Sequence, residues 1–594
     1  MHEVVHRVNL ASQWSPPGSY GHTMLCHLVT LPYTKKPQID ANPVWPVIGN
    51  PSIWQWIFEG DELLLGQSTS ADPALSQTRG FHDSATGEFI SFHDLKSIAT
   101  IVSTILHREY DVRPGQKIAI IGQNSIWYPV AMLAASRLGA VVTLLPPGSM
   151  RDDLMYFLGT SKTALVFTDE GAVDQVTAAC KAIGLSAKNI LRFDGSKDET
   201  NSLQNLRQRG ESFYPSSYTK SWEHKYSEAS PCAFLSWSSG TTGKPKAVQI
   251  SHANVISQLR QISALTPPNR RRTVLGVLPF YHITGLVHLL HLPIVLEQQM
   301  VIMAKFDMKQ MMETVVRFKC DELWLVPPLL IRLLNDKSAQ GYDLSFVKQL
   351  NTGAAPLTDQ VIAQLARKFP SVAVRQAWGM TETTSCLTVT PPDLSTWSNA
   401  SKVGKLVPGT EIRVVDPDTG EDVPAGNIGE IWAKGPQVTM GYLDRPEETA
   451  ASYLEDGFFK TGDLGSIDNQ GFITIHDRIK EMIKVRGHAV APAELEDLLH
   501  GHPKVKDAAI IGIPDDYSGE TPRAFVVLAG GVHGGPEVVK ELQEFVAARK
   551  AKHKRLSGGV EFMDQIPKSP SGKILRRVLK ASWKEKMESQ RAKL

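Results

Sequence analysis

The chain has 594 residues, 42% of them hydrophobic and 21% charged, with a formal net charge of +2 at pH 7. That length allows several domain-sized units around large cores, and the near-neutral charge argues against a large nucleic-acid or anionic-membrane footprint. No apolar run reaches the roughly 18 residues that a bilayer-spanning helix needs. Five cysteines, Cys26, Cys180, Cys232, Cys320 and Cys386, are scattered without a CxxC pair. An odd, dispersed set argues against a disulfide framework or a structural zinc site and fits a reducing compartment.

Residues 1–46 lack a clean signal-peptide pattern, because the apolar patch at 24–31 is short and interrupted by His27. They are read as an N-terminal extension to which no function is assigned. From Lys117 apolar runs alternate with helix-period segments. Strands are predicted at 117–121, 140–145, 164–168 and 190–193, and helices at 128–138, 152–158 and 173–183. Similar units recur through 273–304 and 321–334. This alternation predicts an α/β fold of parallel-rich sheets flanked by helices, filling a large domain over 47–476. After about Lys402 short strands separated by Gly and Pro turns predict a β-rich subdomain at 402–476. A break at Asp477 opens a small α+β domain, 477–594, with strands at 507–513 and 524–528 and a helix at 537–550.

The strongest local signal is Ser236-Trp237-Ser238-Ser239-Gly240-Thr241-Thr242-Gly243-Lys244-Pro245-Lys246, which leaves a predicted strand at 233–235. Small hydroxyl residues and two glycines let backbone N–H groups approach a polyphosphate closely, and the lysines add positive charge. A Walker loop is excluded by spacing: two residues separate Gly240 from Gly243, and Pro245 follows Lys244. The segment resembles the phosphate loop of the adenylate-forming superfamily, which includes acyl-CoA synthetases, luciferases and peptide-synthetase adenylation domains. The other motifs of that family follow in order.

Leu278-Pro279-Phe280-Tyr281-His282-Ile283-Thr284-Gly285 resembles the motif that walls the acyl pocket, with His282 at its mouth as a shaping residue. Asn351-Thr352-Gly353-Ala354-Ala355-Pro356 resembles the loop lining the adenine and acyl pockets. Gln376-Ala377-Trp378-Gly379-Met380-Thr381-Glu382 resembles the next signature, with Trp378 where the family usually has Tyr. Either ring can stack on a purine. The resemblance implies that Thr381 contacts phosphate and that Glu382 holds Mg²⁺, a hard cation suited to a carboxylate beside a triphosphate. In Lys460-Thr461-Gly462-Asp463, Asp463 matches the ribose-binding carboxylate, and Arg478 its support. Asp477 and Lys480 match the family hinge, Lys484 with Arg486 and Gly487 the thiol-transfer face where coenzyme A binds, and Lys573 in Pro567-Lys568-Ser569-Pro570-Ser571-Gly572-Lys573 the catalytic lysine.

The resemblance runs from about Ser91 to Lys573 and implies a mobile C-terminal domain. It also implies an AMP-forming acid–thiol ligase using ATP, Mg²⁺ and coenzyme A, closest to 4-coumarate–CoA ligase-like enzymes. Its substrate is expected to be an aryl or medium-chain carboxylic acid. Coenzyme A is favoured over a carrier protein because no carrier domain follows Lys573. The motif at 279–285 also lacks the Asp with which amino-acid-activating relatives bind an α-ammonium. Two other readings remain: a luciferase-like oxidase sharing every motif, and a non-catalytic nucleotide-binding member, which retention of Lys573, Glu382, Asp463 and Lys484 disfavours. The final Ala592-Lys593-Leu594 resembles the Ser-Lys-Leu peroxisomal address. It predicts peroxisomal residence through an import receptor, and cytoplasmic residence otherwise.

Overall fold

The computed structural model describes residues 39–40, 51–60, 77–195, 199–213, 218–222, 231–238, 244–267, 272–355, 357, 359–486, 488–569 and 572–591. Four sheets organise them. The first has six strands, in the spatial order Ile190–Arg192, Thr163–Thr168, Lys117–Ile121, Val141–Leu145, Cys232–Ser238, Lys246–Ser251, and only the last joins antiparallel. Its central strands read as unbroken apolar runs because helices cover both faces. Every residue of the helix Tyr128–Arg137 is buried, as a helix apolar all round requires. The strand at 117–121 falls where the sequence puts it; the helices at 128–138 and 173–183 end one residue earlier than predicted, at Arg137 and Ala182.

The second sheet has nine strands, parallel through Gly80–Asp83, Gln299–Ile302, Thr273–Gly276, Glu322–Trp324, Gln349–Thr352 and Ala373–Trp378, with antiparallel strands at both ends. The ends of Gln349–Thr352 and Ala373–Trp378 deliver the motifs at 353–355 and 378–382.

The predicted β-rich region forms an antiparallel sheet of Glu411–Val415, Gly429–Lys434, Phe459–Ile467 and Ile473–Arg478. Its edge is completed by Ile39–Asp40, paired to Ile412 and Glu411. Part of the segment to which no function is assigned is thus structural, and its backbone covers an open sheet edge. The C-terminal unit packs the long hairpin Val505–Asp515 and Gly519–Leu528 against the helices Pro492–His500, Pro536–Ala547 and Arg576–Arg591. The chain is therefore α/β with a β-rich subdomain and a C-terminal α+β unit. No described helix is long and apolar enough to cross a membrane.

Candidate active site

Asp463 lies on the strand Phe459–Ile467, whose residues alternate between buried and half-buried. Its register partner on the neighbouring strand is Arg478, and the guanidinium Nε stands 2.9 Å from Asp463 Oδ1. Trp378 ends the strand Ala373–Trp378, and its indole N–H donates to Asp463 Oδ2 at 2.8 Å. Only 3% of Asp463 is exposed. Burial pushes its carboxyl above the usual range, and Arg478 and Trp378 pull it back. The result is a fixed acceptor: Trp378 orients Oδ2 by a hydrogen bond, Arg478 is ion-paired to Oδ1, and both oxygens keep lone-pair capacity for a hydroxyl.

Beyond Trp378 the chain turns sharply. A Cβ on Gly379 would stand 1.7 Å from the carbonyl oxygen of Ser385, so only glycine fits. The following 3₁₀ turn, Thr381–Thr383, buries Glu382, and the Tyr442 hydroxyl donates to Glu382 Oε1 at 3.1 Å. Burial, with the Glu382 carboxylate second, raises the Tyr442 and Tyr453 phenols far above their ordinary value, so Tyr442 stays a donor. Among the described residues no group of three His, Cys, Asp or Glu side chains could hold a metal ion. A single buried carboxylate fits Mg²⁺, which typically takes one or two carboxylates and completes its shell with water and substrate phosphate.

The phosphate loop lies between hydrogen-bonded neighbours: Ser238 pairs with Lys246 across the antiparallel strands. Lys246 Nζ sits 4.6 Å above the Tyr442 ring, beside Glu382, and the exposed Lys244 holds its Nζ 4.8 Å over Tyr156. Ser239, Gly240, Thr241, Thr242 and Gly243 lie outside the described residues, as do Gly487 and Ala592, Lys593 and Leu594.

The motif at 278–285 is pinned by Asn124, whose Nδ2 donates to the Leu278 carbonyl and whose Oδ1 accepts from Phe280 N–H, both at 2.9 Å. His282 Nδ1 accepts from Thr284 N–H at 3.4 Å, and burial lowers its imidazole to about 4, leaving it neutral near pH 7. The loop at 353–355 approaches Trp378 from the adjacent strand. A Cβ on Gly353 would reach within 2.8 Å of Ala377 O, and Ala354 takes a positive φ of 67°. A non-glycine residue in that region stores local strain. Ala355 is half-buried, and Gln376 is fully buried, with its amide donating to the Ala400 carbonyl.

Lys573 is half-buried on a tight loop, its N–H donating to Ser569 Oγ at 3.1 Å and its carbonyl accepting from Ser569 N–H at 2.8 Å. Gly572, at φ +84°, rests against Pro328 of the large domain, where a Cβ would meet the ring at 3.0 Å. Burial and Arg478 lower the Lys573 ammonium, while Glu481 and Asp463 oppose them. Lys573 therefore lies within the electrostatic field of Asp463 and Arg478. Arg576 holds this loop to the chain after Asp477, bonding Glu496 at 2.7 and 2.8 Å and Glu481 at 2.9 Å. Asp477 accepts from its own neighbour Arg478 and from Ala493, and Lys480 is exposed. Lys484 and Arg486 lie elsewhere on the unit, both exposed. The sequence reading did not single out Tyr442, Arg576 or Glu481; a glycine at φ +121°, Gly441, is the local mark beside Tyr442.

Between the two units opens a cleft of about 1140 Å³, lined by Lys244, Pro279, Tyr281, Lys305 and, from the C-terminal unit, Arg577. A buried carboxylate held by Trp378 and Arg478, a second buried carboxylate at Glu382, and a cleft walled in part by Lys244 and Pro245 are the features a nucleotide-using, acid-activating site needs. The chain belongs to the AMP-binding enzyme family: that family's model matches residues 67–443, and the model of the AMP-binding enzyme C-terminal domain matches 494–573. It is similar to "Peroxisomal OPC-8:0-CoA ligase 1" of Arabidopsis thaliana, 34% identical over 84% of this chain and 89% of the relative. It is also similar to "4-coumarate--CoA ligase-like 9" of Oryza sativa subsp. japonica, 36% identical over 81% and 85%. Among solved structures, ATP-bound MatB from Rhodopseudomonas palustris matches with TM-score 0.76 and 27% identity over 90% of this chain and 99% of that one. With these relatives the chain is an AMP-forming acyl-CoA ligase, using ATP and coenzyme A.

Proposed function

We propose that the acid is an aryl or medium-chain carboxylic acid and that the residues above divide the work between two half-reactions. The observation that carries the reading is the buried Asp463 carboxylate held between the Trp378 indole and Arg478, with the loop of Lys573 resting against Pro328 and the ammonium in the electrostatic field of Asp463. In the first half-reaction the substrate carboxylate attacks the α-phosphorus of ATP, forming a C–O–P bond and expelling pyrophosphate. Two anions must be brought together in line, so positioning and charge neutralisation dominate. Asp463 holds the ribose, while Lys573, Thr381 and the loop from Ser238 to Lys244 hold phosphate. Glu382 holds Mg²⁺, which when bound supplies positive charge to the phosphates. His282, neutral, shapes the mouth of the acid site.

In the second half-reaction the C-terminal unit turns about Asp477 and Lys480. Lys573 leaves, and the face bearing Lys484, Arg486 and Gly487 enters. The coenzyme A thiol attacks the acyl carbon, the acyl–phosphate bond breaks, and AMP departs. Peroxisomal residence is part of the proposal and is supported by the name of the Arabidopsis relative. Tagged full-length chain with and without residues 592–594 tests it, and peroxisomal signal in both would remove the tripeptide from the account.

The purified chain with ATP, Mg²⁺ and a panel of aryl and aliphatic acids, with and without coenzyme A, tests the chemistry by mass. Acyl-AMP without coenzyme A and acyl-CoA with it are expected. Absence of pyrophosphate release across the panel would overturn the proposal.

A further inference from the structure

The loop that carries Lys573 is fastened on both flanks. On one flank Lys568 Nζ donates to Asp507 Oδ2 at 2.7 Å and to Oδ1 at 2.9 Å, on the hairpin strand Val505–Asp515. Across the neck of the loop, Leu575 N–H donates to the Pro567 carbonyl at 2.8 Å. On the other flank stands Arg576, which opens the helix Arg576–Arg591. All three nitrogens of its guanidinium are engaged. Nη2 donates to both oxygens of Glu496, at 2.7 and 2.8 Å, and Nε to the Ile510 carbonyl at 3.1 Å. Nη1 pairs with Glu481 Oε2 at 2.9 Å. The side chains of Arg576, Glu496 and Glu481 are 12%, 9% and 13% exposed. Charges this deep persist where each is paired in good geometry, and the planar fork of arginine supplies that geometry where a lysine could not.

The two flanks lead to different places. Asp507 belongs to the C-terminal hairpin alone. Glu481 closes the 3₁₀ turn Ile479–Glu481, which follows Arg478 directly. That turn is shut by Met482 N–H, shared between the carbonyls of Arg478 at 3.2 Å and Ile479 at 3.3 Å. Residues 478–481 therefore bridge two ion pairs. Arg478 meets Asp463 at 2.9 Å at one end, and Glu481 meets Arg576 at 2.9 Å at the other.

We infer that Arg576 is a positioning residue for the adenylation step: through Glu481 it sets where Lys573 stands relative to the Asp463–Arg478 pair. The inference rests on the proposed function, which assigns ribose to Asp463 and phosphate to Lys573. Ribose and the α-phosphate adjoin in ATP, so their two binders need a fixed spacing although they lie on different units. A lysine side chain is long and flexible, and it is placed by placing its backbone. The bonds between Lys573 and Ser569 fix the shape of the loop and not its seat. Gly572 against Pro328 gives one contact of that seat, and the Arg576–Glu481 pair gives the second. Glu481 also acts on the ammonium: burial and Arg478 lower Lys573, and Glu481 and Asp463 oppose them. Because Glu481 follows Asp477 and Lys480, a turn about those residues swings Arg576 and Lys573 together.

The test measures both half-reactions of the full chain with ATP, Mg²⁺ and the aryl or aliphatic acid that the unaltered chain turns over fastest. Glu481→Gln leaves Arg576 paired with Glu496 and so spares the fold, Arg576→Met removes both pairs, and Lys568→Met loosens the opposite flank. Acyl-AMP formation by rapid quench should fall about 30–100-fold in Arg576→Met, the cost of roughly 1 Å of misplacement, and about tenfold in Glu481→Gln, with Lys568→Met within about threefold of the unaltered chain. Thioester formation from preformed acyl-AMP should fall far less in all three. In a Lys573→Ala background neither Glu481→Gln nor Arg576→Met should cost anything further, since a residue that acts through Lys573 has nothing left to position. Three results would each overturn the inference and leave the proposed function standing: equal loss of both half-reactions in Glu481→Gln, losses that multiply with Lys573→Ala, or a loss in Lys568→Met as large as in Glu481→Gln. Failure of the unaltered chain to release pyrophosphate with any acid would overturn both.

Discussion

Lys573 and Lys484 belong to one C-terminal unit and meet opposite surroundings. Lys573 is half-buried, in the field of Asp463 and Glu481, on a loop pressed against Pro328. Lys484 is exposed, its backbone N–H bonded to Glu520 at 2.8 Å, and Arg486 stacks 4.2 Å over Tyr517, a ring 79% exposed. The first face rests on the large domain at Pro328 and the second is open to solvent. Under the proposed division of work, this arrangement is the one that serves adenylation. The face proposed for thiol transfer would come into use only when the unit turns.

The largest expected effect comes from breaking the docked face alone. Lys573→Ala should lower acyl-AMP formation by about 10²–10³-fold, the typical cost of removing one charge-stabilising donor. Thioester formation from preformed acyl-AMP should fall far less. Equal loss in both half-reactions, measured by rapid quench, would erase the contrast between the faces. Next is the Trp378 indole. Trp378→Phe removes the N–H that orients Asp463, and a hydrogen bond to a charged group contributes about 1.5–3 kcal/mol. The KM for ATP should rise roughly ten- to a hundredfold, with little change for the acid; an unchanged KM would show that Arg478 suffices.

A smaller effect is expected at Tyr442. Tyr442→Phe removes a longer bond to Glu382, 3.1 Å against 2.8 Å, at the low end of the same range, about 1.5 kcal/mol, and should raise the Mg²⁺ concentration for half-maximal rate about tenfold. Identical Mg²⁺ curves would contradict the role given to Glu382. The mildest perturbation is pH. Burial lowers His288 to about 3 and His291 to about 4, against an ordinary 6.5. The folded chain holds both neutral, while the unfolded chain binds protons below pH 6.5. Stability therefore falls as pH drops from about 6.5 toward 4, on the order of 1–2 kcal/mol per imidazole by pH 5. Chemical denaturation at pH 7 and pH 5 should show it, and His291→Phe should flatten the dependence.

What the sequence made legible follows from range. Residues 117–121 and 173–182 form the predicted strand and helix because apolar period decides both locally. The strand predicted at 524–528 begins five residues earlier, at Gly519, because its polar half is held by pairing along the whole of Val505–Asp515. The motif residues Asp463, Trp378 and Glu382 were legible as a set, whereas the bonds among them were not. Trp378 reaches Asp463 across 85 residues and Tyr442 reaches Glu382 across 60; neither contact leaves a local trace.

Carboxylate attack on the α-phosphorus can be followed atom by atom. With an acid labelled in both carboxyl oxygens with ¹⁸O, and with ATP, Mg²⁺ and coenzyme A, the account predicts one ¹⁸O in the phosphate of AMP, one in the acyl-CoA carbonyl, and none in pyrophosphate. Label in pyrophosphate, or AMP without label, would contradict an acyl-adenylate and with it the central claim.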